Sequence, residues 1–233
     1  MNWKILLLGL LLTSACKKEE TDQVDITYSF NFNEGLHGWE AGFADYPEGE
    51  EEFYELNSAH LFLPAPLDQT KKAFMIEGNN HSDDLFMFLK KQVNGLSPSA
   101  TYSFVFNIEL ATNAAENSVG TGGSPAHSVY VKAGATAQEP IGELDSSDNH
   151  YRMNIDKGNQ AAEGDDMINL GDMSNGIDEQ KYVLVGRNNN SKGFTAQTDN
   201  AGNIWLVIGF DSGFESKTTT YLTNVSVVAT ERQ

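Results

Sequence analysis

The chain has 233 residues, with 33 Asp and Glu against 15 Lys and Arg, for a formal charge of −18 at pH 7. That balance excludes nucleic acid, whose phosphates demand Lys and Arg, and a polybasic grip on anionic lipid. It suits a domain kept soluble by its own charge, and 39% apolar residues over this length are enough for one sizeable core.

The first residues read as an export signal. Lys4 supplies a positive start, residues 5–12 a short apolar run, and Thr13, Ser14 and Ala15 are small. The run is too short to span a bilayer. It leads into Cys16, the one cysteine of the chain. The segment resembles the lipobox of bacterial lipoproteins, with Thr13 where leucine is usual and Leu12 one place earlier. In that family the thiol takes a diacylglycerol and the signal is cut before it. The resemblance implies a signal peptide at 1–15, lipidation of Cys16 and a partner lipid bilayer entered through acyl chains. Two or three such chains make a durable anchor, and a lone thiol leaves no disulfide within one chain. Lys17, Lys18, Glu19 and Glu20 resemble the charged export tag of Bacteroidota-type surface lipoproteins, which implies an outer-membrane, lipid-anchored protein facing the cell exterior. Residues 16–25 then form a charged tether. Removing residues 1–15 takes away Lys4 alone, leaving 14 Lys and Arg against 33 acids, a formal −19.

From residue 26 onward hydrophobic spacing has period two, in short runs broken by Gly, Asn, Asp and Ser. It predicts strands at 26–32, 54–63, 72–77, 85–93, 101–110, 128–133, 181–187, 204–210 and 219–230. Asn224 interrupts the alternation of the last. Pro64 and Pro66 end one strand, and Gly95 with Pro98 marks a turn before another. Two stretches look strand-poor: 111–126, small and Gly-rich, and 135–176, acidic and Asn-rich. Loops of that length carry function or disorder. The sum is an all-β fold, a single antiparallel β-sandwich domain over 26–233 with long acidic loops.

Three segments carry a second resemblance. "FNFNEGLHGWEAG", "VNGLSPSATYSFVFNIE" and "TTTYLTNVSVVAT" are similar, in order, to the opening, middle and closing strands of galactose-binding-domain-like jelly-roll carbohydrate-binding modules. That implies a jelly roll whose partner is an extracellular glycan. Such modules commonly hold a structural calcium between first and last strands. The matching positions here, Asn33 and Thr223, are not ionised. A replacement Ca²⁺ site could draw on Glu34, Asp211 and Glu215; the alternative is that these acids are solvated loop charges.

Sugar sites need an aromatic face beside hydrogen-bonding groups. "GWEAGFADYPEGEEEFYE" brings Trp39, Phe43, Tyr46, Phe53 and Tyr54 among six glutamates and one aspartate. Tyr46, before Pro47, is expected to be exposed; Tyr54 could instead start a strand, and Trp39 and Trp205 fit core positions. Ligand binding is therefore expected of Tyr46, Tyr54 and Phe53, with Trp39 close by. Other readings stay open: a module that binds a surface protein, or a glycan-cleaving enzyme using Asp83, Asp84, Asp211 or Glu215. "VYVKAGATAQ" resembles a strand of jelly-roll alginate lyases, but that family's His and Tyr are missing, so no acid–base pair is complete. His37, His60, His81, His127 and His150 lack metal-ligand spacing. "NIDKGNQAAEGDD", in the second long stretch, is rich in oxygen ligands and suits either a cation or glycan loop or a disordered acidic one.

Overall fold

The computed structural model describes residues 25–232; the segment expected as a signal at 1–15, Cys16 and the expected tether up to residue 24 lie outside the described residues. The strands are β1 (Asp25–Asn31), β2 (Glu40–Ala44), β3 (Tyr46–Pro47), β4 (Asn57–Phe62), β5 (Lys72–Asn79), β6 (Leu85–Val93), β7 (Thr101–Thr112) and β8 (Val129–Thr136). They continue with β9 (Gly142–Asp145), β10 (His150–Met153), β11 (Met167–Asp172), β12 (Val183–Asn188), β13 (Phe194–Gln197), β14 (Ile204–Ser212) and β15 (Lys217–Glu231). No helix occurs among the described residues.

A seven-stranded sheet runs β12-β7-β15-β5-β4, with β13 beside β7 and β1 beside β15. A five-stranded sheet runs β11-β8-β14-β6-β2, and β3-β10-β9 form a small third sheet. The chain crosses between the two large sheets from β5 to β6, from β7 to β8 and from β14 to β15. In each sheet the returning strand, β15 or β14, lies between the other two. That interleaving makes an antiparallel jelly-roll sandwich.

Alternation decides which side chains fill it. In β7, Phe104, Phe106, Ile108 and Leu110 point inward and are buried, while Asn107 on the other face is exposed. In β15 the register to β7 shifts between Leu222 and Asn224. One added residue flips the facing, so Thr220 and Leu222 are buried before it and Val225, Val227 and Ala229 after it. Asn224 interrupts the sequence pattern because it sits at this bulge.

The five-stranded sheet is buried on both faces. Leu85, Met87 and Leu89 of β6 join the main core, while Phe86 and Phe88 join a second cluster with Ala44, Ile155, Met167 and Val207. The rings lie flat on the outer face because their neighbours there are glycines: a Cβ on Gly209 would run into Phe86, and one on Gly42 into Phe88. The cover comes from residues 137–166. The 135–176 stretch, expected as a strand-poor loop, instead supplies β9, β10 and β11 and packs Met153, Ile155 and Met167 over the rings. Burying each ring contributes about 1.5–3 kcal/mol, which explains why an acidic segment stays down. Trp205 departs from its expected core position. It faces outward beyond the cover, half-buried, with Lys90 Nζ 5.4 Å from its ring.

Candidate functional site

Three of the four expected ligand aromatics are packing residues. Tyr46 is 7% exposed, Tyr54 3% and Trp39 2%. Tyr46 is expected in an open loop but belongs to β3, whose pairing with β10 sets it opposite Tyr151, the rings stacked 5.0 Å apart. Burial, with Glu51 beside it, pushes the Tyr46 hydroxyl up to about 12. Tyr54 donates to Ser82 Oγ at 3.2 Å, and Trp39 stands edge-on to Phe30 at 5.4 Å. Phe53 alone is open, 57% exposed and stacked on His81 at 3.9 Å.

The acids expected for calcium do not converge. Asp211 is fully buried, with Lys132 Nζ 3.0 Å and Lys157 Nζ 3.1 Å from its Oδ2. Two ammonium groups already occupy the position a metal would take. Glu34 accepts from Asn31 on the β1–β2 turn, and Glu215 lies against Gly122 in another loop. Among the described residues no group of three His, Cys, Asp or Glu is placed to hold a metal ion. Asn33 and Thr223 tie the strands directly: Asn33 Oδ1 accepts from Lys72 N at 2.9 Å, and Thr223 Oγ1 donates to Glu109 Oε1 at 2.6 Å.

Of the acids considered for hydrolysis, Asp84 and Asp211 share this buried cluster. Lys157 comes from the 137–166 cover, with Nζ 3.0 Å from Asp45 Oδ2 and 4.9 Å from the Phe86 ring centroid. Lys132, on β8, also donates to the carbonyls of Lys157 and Ala162 at 2.7 and 2.9 Å. The arrangement pins the cover to the sheet. Burial and the neighbouring Asp45 and Asp211 raise the Asp84 carboxyl to about 7, against the pull of Lys157. The Oδ1 atoms of Asp84 and Asp211 are both buried and meet no hydrogen-bond donor among the described residues, which favours a neutral Asp84. Asp45 and Asp211 face Lys132 and Lys157, and at the edge of the cluster Arg152 Nη1 also lies 3.1 Å from Asp45 Oδ1. Burial lowers Lys132 despite Asp211, whereas for Lys157 burial is outweighed by Asp211, Asp45 and Asp84, which hold it high.

An open recess with binding chemistry lies at the end of the sandwich where β7, β11 and β14 finish. Its volume is about 580 Å³, and its lining includes Asn113, Val119, Asp178, Gln180, Tyr182 and Phe214. Three connections build it. Glu116 N donates to Ile177 O at 2.8 Å, and Asn175 N to Ala114 O at 2.8 Å, joining the β7–β8 and β11–β12 connections. Glu215 N donates to Thr121 O at 3.0 Å, and Gly120 lies so close to Phe214 that a Cβ there would strike the ring. Tyr182 stands edge-on to Tyr221, centroids 5.6 Å apart. Burial, with Tyr221 and Glu77 nearby, raises the Tyr182 hydroxyl to about 12, so it stays a neutral donor. At the rim Lys217 bridges Glu55 and Glu77 at 3.0 and 3.4 Å. Two aromatic rings beside amides, hydroxyls and one carboxylate suit a polyol: rings for C–H faces, the polar groups for hydroxyls.

No family model and no curated protein matches the sequence. Among solved structures, the chain is similar to a carbohydrate-binding module studied for specific mannan recognition, at 11% identity over 90% of this chain and 99% of that one, with a TM-score of 0.39. It is similar to the K3 cleaved adhesin domain of Lys-gingipain from Porphyromonas gingivalis W83, at 10% identity over 88% and 99%, TM-score 0.38. A tailspike domain of bacteriophage CBA120 gives 8% identity and a TM-score of 0.36 over 83% of this chain, which spans 20% of that longer one. Likenesses this distant carry nothing about ligand, so function has to be read from the recess itself.

Sequence reasoning passed over the recess residues. Tyr182 falls at the start of a predicted strand, and Phe214 lies in "GFDSGFES", a loop read for its acids. The one usable signal was the 111–126 stretch, whose Gly-rich composition and length mark it as a surface-building loop.

Proposed function

We propose that this chain is an outer-membrane surface lipoprotein that binds extracellular carbohydrate in the recess between Tyr182 and Phe214. The observation that carries the binding reading is that recess, about 580 Å³ with two aromatic rings beside Asn113, Gln180 and Asp178. Support for the location comes from the sequence alone: the apolar run, Cys16 and the charged residues after it. A glycan array probed with the full-length chain tests the binding reading, with mannan among its polysaccharides. Tyr182→Ala and Phe214→Ala should each keep the fold and weaken binding about tenfold, the loss of about 1–1.5 kcal/mol of ring contact. Binding unchanged in both variants, or no glycan retained at all, would sink the reading. Retention of a protein instead would move it to the adhesion alternative.

A further inference from the structure

The buried cluster under the 137–166 cover has a geometry that an ion pair alone does not need. Lys132 of β8 stands opposite Gly209 of β14, so Asp211, two residues on, lies on the same outer face. Both side chains are fully buried, with Lys132 Nζ 3.0 Å from Asp211 Oδ2. Nζ has two further acceptors, the carbonyls of Lys157 and Ala162 at 2.7 and 2.9 Å. Three acceptors match the three hydrogens of an ammonium. When the hydrogen facing Asp211 passes to that carboxyl, the other two stay on the carbonyls, and the freed lone pair points at Asp211. Asp84 adds a second carboxyl, and its Oδ1 and that of Asp211 are both buried without a donor among the described residues. Lys157 Nζ, 3.1 Å from Asp211 Oδ2, brings a positive charge, with Asp45 on its other side at 3.0 Å.

We infer that Lys132 and Asp211 close into an intramolecular amide, a covalent cross-link between β8 and β14, with Asp84 as its acid–base group. The neutral amine attacks Cγ of the protonated Asp211 carboxyl, and the C–N bond forms. Asp84 gives its proton to the departing hydroxyl and takes one from the nitrogen. One C–O bond breaks, one water leaves, Asp84 ends as it began, and nothing is oxidised or reduced. Burial favours the neutral forms this step needs, lowering the Lys132 amine and raising the Asp84 carboxyl. Lys157 faces the carboxyl on which negative charge develops. The reacting groups already sit at the contact of about 3–3.5 Å from which attack proceeds, in a place closed to the water that would reverse it. The product keeps one N–H for the carbonyls of the cover. Asp84 stays raised by burial and by Asp45 before and after closure. Such a bond gives the domain a cross-link that its one cysteine cannot provide.

Trypsin cuts after a lysine only when its amine is free, which gives a direct test. The full-length chain is purified, denatured, digested and read by mass spectrometry, both fresh and after long incubation in its folded form. Closure requires that cleavage after Lys132 be lost. It also requires that the peptides carrying Lys132 and Asp211 appear as one branched species, lighter than their sum by one water, about 18 Da. Lys132→Met should abolish that species. Asp84→Asn, with its fold checked by circular dichroism, should form it about a hundredfold more slowly, the effect of a lost acid–base group. Separate wild-type peptides, one ending at Lys132 and one holding unmodified Asp211, overturn the inference whatever the variants do. A link that forms as fast in Asp84→Asn overturns the role given to Asp84. A branched species joining Lys157 to Asp45 instead overturns the choice of pair.

Discussion

Asp84→Asn should remove a pH dependence that the wild type carries between about pH 4 and pH 7. The Asp84 carboxyl moves from an ordinary 3.8 to about 7 in the folded chain, through burial and its neighbours Asp45 and Asp211. A raised pKa means that the folded state holds the proton more tightly than the unfolded one. The stabilisation is complete below the unfolded value near 3.8 and is lost as pH rises through about 7. The gap is about three pH units at about 1.36 kcal/mol each, up to about 4 kcal/mol. For a domain of this size that is about 10 °C in Tm. Asn keeps the shape but cannot ionise. Tm is followed by circular dichroism for both proteins across the range. His127, which Asp172 raises from its ordinary value, titrates in both and cancels in the difference. The wild-type curve should fall away from the Asn curve between about pH 4 and pH 7 and run parallel to it above that; curves that stay parallel from pH 4 to pH 7 would refute the raised Asp84 carboxyl.

Lys132→Met should cost about 3–5 kcal/mol in denaturant unfolding, because it strips a buried partner from Asp211 and frees the Lys157 and Ala162 carbonyls; a loss below about 1 kcal/mol would mean that the cluster does not hold the cover. Cys16→Ser should abolish uptake of labelled palmitate and release the protein from membranes, and continued labelling together with sedimentation would end the lipoprotein reading.

Legibility followed burial geometry. The spacing predicts β6 at 85–93 and it is Leu85–Val93, since the apolar run 85–89 bounded by polar residues has few other fates. β7 and β15 were found because one face meets the core and the other meets water, which writes period two into the sequence. The missed strands β2, β3, β9, β10, β11 and β13 are two to six residues long. Strands so short form because a distant partner offers an edge, a fact absent from their own composition. The same holds for Tyr46, whose burial depends on Tyr151 more than a hundred residues away. Phe53, expected among the ligand aromatics, is open; of the recess beside Tyr182 the sequence shows only the Gly-rich 111–126 stretch, because the recess is assembled from three connections whose sequences share no pattern.

The buried cluster shows why acid-rich segments were hard to assign. Asp84, Asp211 and "NIDKGNQAAEGDD" invite a reading as metal or catalytic groups, because acids near one another in sequence suggest a common task. What decides their role is the cations they meet. Lys132 stands on the outer face of β8 among Val131, Ala133 and Gly134, and Lys157 comes down onto it from the cover. A cover held by apolar contacts alone could slide over Phe86 and Phe88, since hydrophobic burial has no preferred direction. Ammonium groups within 3.1 Å of named carboxylates fix one position, at a desolvation cost that the surrounding hydrogen bonds offset. Fixing the cover there closes one large sheet to ligands. That leaves the recess at the loop end, beside Tyr182 and Phe214, open.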